Sequence, residues 1–256
     1  MQIAITRQLT GAITMCELTH VARTPIDVER AQAQHAEYER ALGEAGCAVM
    51  RLTAPDTLPD AVFIEDTAVV LDEVAVITRP GAESRRLETT GVAAALARFR
   101  PLASIRAPGT LDGGDVLRIG KRILVGASLR SNEYGIEQLR GFVEPFGYTV
   151  ESVPFRGCLH LKSAVTLVAP DVALYNPAWV QAGVLGDVQV IEVDPNEPAS
   201  ANALLVGDTI IFPSEHAGTM SRLASAGLRL IPVPAGELAK AEGGVTCCCV
   251  LVDEVV

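Results

Sequence analysis

The chain has 256 residues, 49% of them hydrophobic, 4% aromatic and 20% charged, and a formal net charge of -10. That length and apolar fraction fill one large core or two small ones, and the bias toward Val, Ala, Leu and Ile suits sheets covered by helices. The acidic balance argues against a nucleic-acid or anionic-membrane partner, and no run of about 18 apolar residues offers a membrane span.

The N-terminal stretch MQIAITRQLTGAITMCELTH lacks the basic start and unbroken apolar core of a secretory leader. Six cysteines are present, three of them in a row at Cys247, Cys248 and Cys249. They show neither a disulfide framework nor the CxxC spacing of a metal site, so a reducing cytoplasm is the expected compartment.

In chain order, QIAITR reads as a strand. From Asp66, DTAVVLDEVAVIT reads as two strands about a turn at Leu71-Asp72-Glu73, followed by a helix in SRRLETTGVAAALARF. From Asp115, DVLRIGKRILVGA repeats the hairpin about Gly120-Lys121, with a helix in NEYGIEQLRGFVEPFG and a short strand in YTVESVPF. SAVTLVAPDVALYN from Ser163 turns at Pro170-Asp171. NALLVGDTIIFPS from Asn202 turns at Gly207-Asp208, before the helix TMSRLASAG and the strand LRLIPVP. CCCVLVDEVV from Cys247 supplies only the first strand of a fifth hairpin. Turn formers and charges punctuate each pair, and the starts recur roughly every 40 to 50 residues.

The repeated unit is strand, strand, helix, strand. Five such units in a ring predict an α/β fold of the five-bladed propeller kind, a single domain over residues 1–256, with QIAITR completing the last unit. An ordinary open α/β sheet also accounts for the strands and helices, but not for the polar residue that heads each hairpin.

In a ring, equivalent positions face one axis. Asp66, Asp115, Ser163, Asn202 and Cys247 share the head of the hairpin. Three residues earlier stand Phe63, Asp112, His160, Ala199 and Gly244, which pairs Asp112 with His160 in neighbouring units. Strand alternation puts Cys247 and Cys249 on one face and Cys248 on the other, and the repeat register selects Cys247 for the axis. Cys248 and Cys249 then read as small core residues. The Gly243-Gly244 pair lets the backbone approach a ligand closely. Each piece alone has a bland reading: a buried thiol, a satisfied core histidine, a Gly-Gly turn, a surface acidic pair. Their conjunction is the inventory of a nucleophilic site with a cation pocket.

PDAVFIEDTAVV, ITRPGAESRR, APGTLDGGDVL, CLHLKSAV and GGVTCC, in this order, resemble the dimethylarginine dimethylaminohydrolases of the pentein superfamily. The resemblance spans nearly the whole chain. It implies the pentein propeller of ββαβ repeats and cleavage of dimethylarginine or monomethylarginine to citrulline and an amine, without a cofactor. By motif position it makes Cys247 the nucleophile, His160 the general acid/base and Asp112 its orienting carboxylate, where some members carry Glu. It sets Glu65 and Asp66 at the guanidinium, Asp60, Arg85 and Arg130 at the amino-acid end, and Leu18 on a mobile flap. The partner implied is the small-molecule substrate, with the chain a monomer or homodimer.

The alternatives left by the sequence are an arginine deiminase or amidinotransferase on the same scaffold, and a non-catalytic propeller-scaffold binding protein such as a ribosome-assembly factor. Cys247 and His160 offer too few ligands for a zinc enzyme, so Zn2+ is expected only as an inhibitor that captures the thiolate.

Overall fold

The structure is a computed structural model that describes residues 1–254. The strands are β1 (Gln2–Arg7), β2 (Ala48–Leu52), β3 (Ala68–Val70), β4 (Ala75–Ile77), β5 (Leu102–Ser104), β6 (Val116–Ile119), β7 (Arg122–Gly126), β8 (Thr149–Val153), β9 (Val165–Ala169), β10 (Val172–Tyr175), β11 (Gln189–Glu192), β12 (Leu204–Val206), β13 (Thr209–Pro213), β14 (Arg229–Val233) and β15 (Cys249–Asp253). The helices are α1 (Val28–Glu44), α2 (Thr89–Leu96), α3 (Glu133–Val143), α4 (Leu161–Ala164), α5 (Ala217–Ser225) and α6 (Gly236–Ala239).

The described strands form five three-stranded sheets, β3-β4-β5, β6-β7-β8, β9-β10-β11, β12-β13-β14 and β15-β1-β2. In each, the middle strand runs antiparallel to the first and parallel to the third. A parallel pair needs a crossover, and α2, α3, α5 and α1 supply it in four units. The third unit crosses over with only a short 3-10 turn, Ala182–Leu185, ended at Gly186 with φ +70°. The fifth unit joins the two ends of the chain, with Ile3 opposite Val252 and Ile5 opposite Val250.

Local signals explain the crossover helices. Asp27 caps α1 by accepting the Arg30 N–H, and Asn132 caps α3 by accepting that of Gly135. On α3, Ile136, Leu139 and Val143 make one buried stripe.

Closure of the ring is visible in the core. The middle strands are buried on both faces, so alternate residues enter different clusters. Ala75 and Ile77 of β4 pack with Ile3, Ile5, Val250 and Val252 of the fifth unit, whereas Val76 packs with Ile123 and Val125 of the second. Leu124 turns to the third unit. Leu174 and Ile210 join the third unit to the fourth, and Ile211 joins the fourth to Ala4 and Tyr38 of the fifth. Five apolar clusters thus fill five interfaces between neighbouring units. An open sheet would leave one interface unfilled. No helix among the described residues is long and apolar enough to cross a membrane.

Candidate active site

The hairpin heads converge, with one correction. Asp66, Ser163, Asn202 and Cys247 stand two residues before Ala68, Val165, Leu204 and Cys249, the first residues of their strands. Asp115 stands one residue before Val116, so Gly114 holds the equivalent place. The cause is crowding. A Cβ on Gly114 would lie 2.7 Å from Asp66 Oδ1 and 2.8 Å from His160 Nδ1. The Gly114 N–H instead donates to Asp66 Oδ1 at 2.9 Å. Asp115 is buried away from the axis, accepting from Ser128 Oγ at 2.5 Å, Ser131 Oγ at 2.7 Å and the Leu161 N–H at 3.1 Å. Burial pushes its carboxyl up to about 6, against the pull of His160 and the two serines.

This one-residue slip also ends the strict equivalence of Asp112 and His160, yet the two meet. His160 Nε2 lies 3.0 Å from Asp112 Oδ2, and its Nδ1 lies 3.8 Å from Asp66 Oδ1. Asp112 is fully buried, and its Oδ1 accepts the Gly81 N–H at 2.9 Å. Burial disfavours a charged His160, but Asp66, Asp112 and Asp115 outweigh it and raise the imidazole to about 9. In that state Nε2–H donates to Asp112. Burial likewise opposes a charged Asp66. His160 and Arg85 nevertheless hold that carboxyl well below the usual range.

Cys247 lies in the turn before β15, not in the strand, so the expected alternation does not reach it; its N–H donates to the Gly244 carbonyl at 3.2 Å. Its thiol accepts the Gly244 N–H at 3.3 Å. Burial, then the charges of Glu65 and Asp66, push the thiol up to about 12. Cys248 and Cys249 are both buried and share one apolar cluster with Tyr38 and Val245. The glycine pair meets protein before it meets any ligand: a Cβ would lie 2.1 Å from Phe63 Cε1 at Gly243 and 2.4 Å from Asn202 Oδ1 at Gly244.

Cys247, His160, Asp66, Asp60, Arg85 and Arg130 line one cavity of about 20 Å³, along with Glu17, Leu159 and Glu242. Of two larger cavities, one of about 220 Å³ adjoins it through Leu159, Glu242 and Gly243 and one of about 560 Å³ shares none of its lining; neither holds the thiol or the imidazole, so the chemistry marks the small one. Glu65 is not among its lining residues. It lines the 560 Å³ cavity, paired with Lys162 Nζ at 2.5 Å and Thr246 Oγ1 at 2.9 Å. Burial raises its carboxyl, and Lys162 opposes that rise. Leu18 does not line the small cavity either; it packs against the cluster between the fourth and fifth units.

Arg85 is spent within the protein. It donates to Asp66 Oδ2 at 2.5 Å, to Glu88 Oε2 at 2.8 Å and to the Phe63 carbonyl at 2.8 Å. Arg130 differs: its buried Nη1 has no hydrogen-bond partner among the described residues and lies 3.7 Å from Asp112 Oδ2. Asp60 accepts the Glu17 N–H at 3.2 Å, and burial raises its carboxyl.

Asp66, Asp112 and His160 could each turn one donor atom within 4.8 Å of the others. Those donors already neutralise one another and Arg85, which suits proton transfer better than a cation cage. The sequence reading missed Lys162, Thr246 and Glu242. For Lys162 the signal was at hand, two residues beyond His160 in the same motif.

No family model matches the chain. It is 41% identical over 240 residues to the N(G),N(G)-dimethylarginine dimethylaminohydrolase of Streptomyces coelicolor, covering 90% of this chain and 89% of that protein. It is 34% identical over 223 residues to the protein of the same name from Pseudomonas aeruginosa, covering 86% and 88%. A cysteine-to-serine mutant of the P. aeruginosa enzyme, solved with citrulline, superimposes with a TM-score of 0.93 at 31% identity over 97% of this chain and 98% of the other. The N-terminal domain of ArgZ, an arginine dihydrolase of cyanobacteria, shares the fold, with a TM-score of 0.85 at 19% identity over 99% of both chains.

Proposed function

Because the chain belongs to the dimethylarginine dimethylaminohydrolase family, we propose that Cys247, His160 and Asp112 carry out its reaction and that Asp66, Asp60 and Arg130 hold the substrate. The protein is a hydrolase of C–N bonds. It converts dimethylarginine to citrulline and dimethylamine, with monomethylarginine giving methylamine. One observation carries the assignment of roles: the Cys247 thiol and the His160 imidazole line one cavity, and the fully buried Asp112 holds the imidazole from behind at 3.0 Å.

A guanidinium carbon is a poor electrophile because resonance spreads its charge. A thiol near 12 is a poor nucleophile in the free enzyme. A cationic substrate corrects both at once. Its charge beside Asp66 offsets the carboxylates that oppose ionisation of Cys247, so the thiol gives its proton up to solvent as the cation binds, the one proton the overall reaction releases. The thiolate adds to the guanidinium carbon. Imidazolium His160 gives a proton to the departing nitrogen, dimethylamine leaves, and a cationic S-alkylthiouronium remains on Cys247. Neutral His160 then takes a proton from water as the hydroxide adds to the same carbon. Collapse breaks the C–S bond, and the hydroxyl proton returns to sulfur. Citrulline is freed with both residues in their starting state.

Asp112 supports the imidazolium through the 3.0 Å contact and fixes the ring. At the amino-acid end, the unpartnered Arg130 Nη1 fits the substrate carboxylate and Asp60 fits the ammonium. Arg85 acts through Asp66, keeping that carboxylate ionised and in place. Glu65 acts on Cys247 through space and is itself held by Lys162. The scheme needs no cofactor.

The test is incubation with arginine, monomethylarginine and dimethylarginine, with citrulline and released amine both quantified. Citrulline with stoichiometric dimethylamine supports the reading. Turnover confined to arginine, with ammonia as the amine product, would make the protein a deiminase.

A further inference from the structure

The segment 17–23 holds no helix or strand and is mostly exposed on its outer side, yet it is tied down where it meets the cavity. The tie is Glu242. Its carboxylate accepts three successive backbone N–H groups, those of Thr19 at 3.0 Å, His20, and Val21 at 2.7 Å. Converging amides of this kind form a small anion nest, and the bonds to an ionised carboxylate are of the stronger sort. Glu242 is also the one non-glycine residue with positive φ, +57°, among the described residues. A left-handed backbone costs a residue with a Cβ, and only a gain elsewhere retains it. The nest is that gain. Glu242 directly precedes Gly243 and Gly244, so the tie runs into the turn that carries Cys247.

At the other end of the segment, the Glu17 N–H donates to Asp60, and Ser84 Oγ donates to Glu17 Oε1 at 2.6 Å. Both tethers therefore reach residues that line the reaction cavity, Asp60 and Glu242. With them engaged, the cavity measures about 20 Å³, which is room for about one water. An amino acid is larger than that space, so a wall of the cavity must move to admit one, and the exposed segment that begins at Glu17 is one of those walls.

We propose that Glu242 is a positioning residue, a latch that holds segment 17–21 shut over Cys247 and must release for substrate to enter. The latch draws on the proposed function only for the identity of that substrate. Asp60 links the two events, since the ammonium assigned to it competes with the Glu17 N–H.

The test compares Glu242→Gly, which relieves the backbone but removes the carboxylate, with Glu242→Gln, which keeps an acceptor oxygen but loses the charge. Alkylation of Cys247 by iodoacetamide, followed site by site with mass spectrometry, reads access without turnover. Trypsin cleavage after Arg23 reads release of the segment. For Glu242→Gly the expected results are alkylation and cleavage both about 10-fold faster, and a fall in KM, up to about 10-fold, that exceeds any change in kcat, because more of the free enzyme is open to substrate. Glu242→Gln should fall between it and the parent, and settles the matter should the glycine variant unfold. Alkylation and cleavage unchanged in the folded variants, or kcat lost with KM intact, would overturn the latch. Because neither access measurement needs turnover, a protein that hydrolyses arginine instead would sink the functional reading and leave the latch standing.

Discussion

The interfaces between units and the polar centre they enclose are built from neighbouring stretches of the same chain, but they obey opposite rules. At the interfaces, Val76, Leu124, Leu174, Ile211 and Ala4 each supply apolar volume, and any residue of similar size would serve. At the centre, in the segments that lead into the strands and into α2, Asp66, His160, Asp112 and Arg85 are equally buried but paired with one another, and the charge states of Asp66 and His160 depend on those neighbours. Burial stabilises the first region directly. In the second it is a cost that the pairing offsets, and the result is a thiol and an imidazole with altered acidity.

Experiments can break or sharpen that contrast. The largest expected effect is that of Cys247→Ser: citrulline release should fall by about 10³-fold or more while circular dichroism and melting stay near the parent. Comparable turnover in that variant would remove the nucleophile assignment. Next comes Gly114→Ala, where a single methyl meets both Asp66 Oδ1 and His160 Nδ1. Here kcat should drop by about 10²-fold, more than at any solvent-facing glycine such as Gly11 or Gly43. Asp112→Asn should lower kcat by about 10²-fold as well, and should move the alkaline limb of the pH–rate profile toward neutrality, because it removes a partner that raises His160. An unmoved limb would separate Asp112 from the imidazole.

The pH dependence of stability follows from the same pair. His160 is raised from 6.5 to about 9 in the folded state, so its stabilisation is complete below 6.5 and is lost as pH climbs through 9. Asp66 is depressed, so its share is present above the ordinary Asp range and is lost as pH falls into acid. Melting temperatures should therefore be highest near neutrality, and His160→Gln should erase the alkaline decline specifically. The smallest effect is at Cys249→Ala, which shortens a buried side chain outside the reaction cavity. It should cost about 1 kcal/mol of stability and change kcat by less than about threefold. An inactive Cys249→Ala beside an active Cys247→Ser would place the nucleophile two residues later.

Much of the ring could be read in the sequence because hairpins announce themselves. Apolar pairs of strands about Gly120-Lys121 and Gly207-Asp208 repeat at a spacing that survives small insertions. The fifth unit was legible too, since CCCVLVDEVV lacked a second strand and QIAITR lacked a first. Position along the repeat was less secure. Asp115 looked like a head, and the structure gives that place to Gly114, because periodicity carries no information about which residue has room for a side chain. Glu65 and Asp66 looked like one acidic pair, but successive residues of the 3-10 turn 64–67 point in different directions, and the two line different cavities.

The sequence by itself determined the repeated unit, the apolar faces of the middle strands and the chemical types gathered at the hairpin heads, for these follow from local periodicity and turn chemistry. Only the tertiary structure decided which groups touch. The 3.0 Å contact of His160 with Asp112, the commitment of Arg85 to Asp66 and Glu88, and the capture of segment 17–21 by Glu242 join residues far apart in the chain. Hydrogen bonding and charge pairing fall off over a few ångströms, so they are settled by the folded backbone and the space it leaves, which no one-dimensional pattern records.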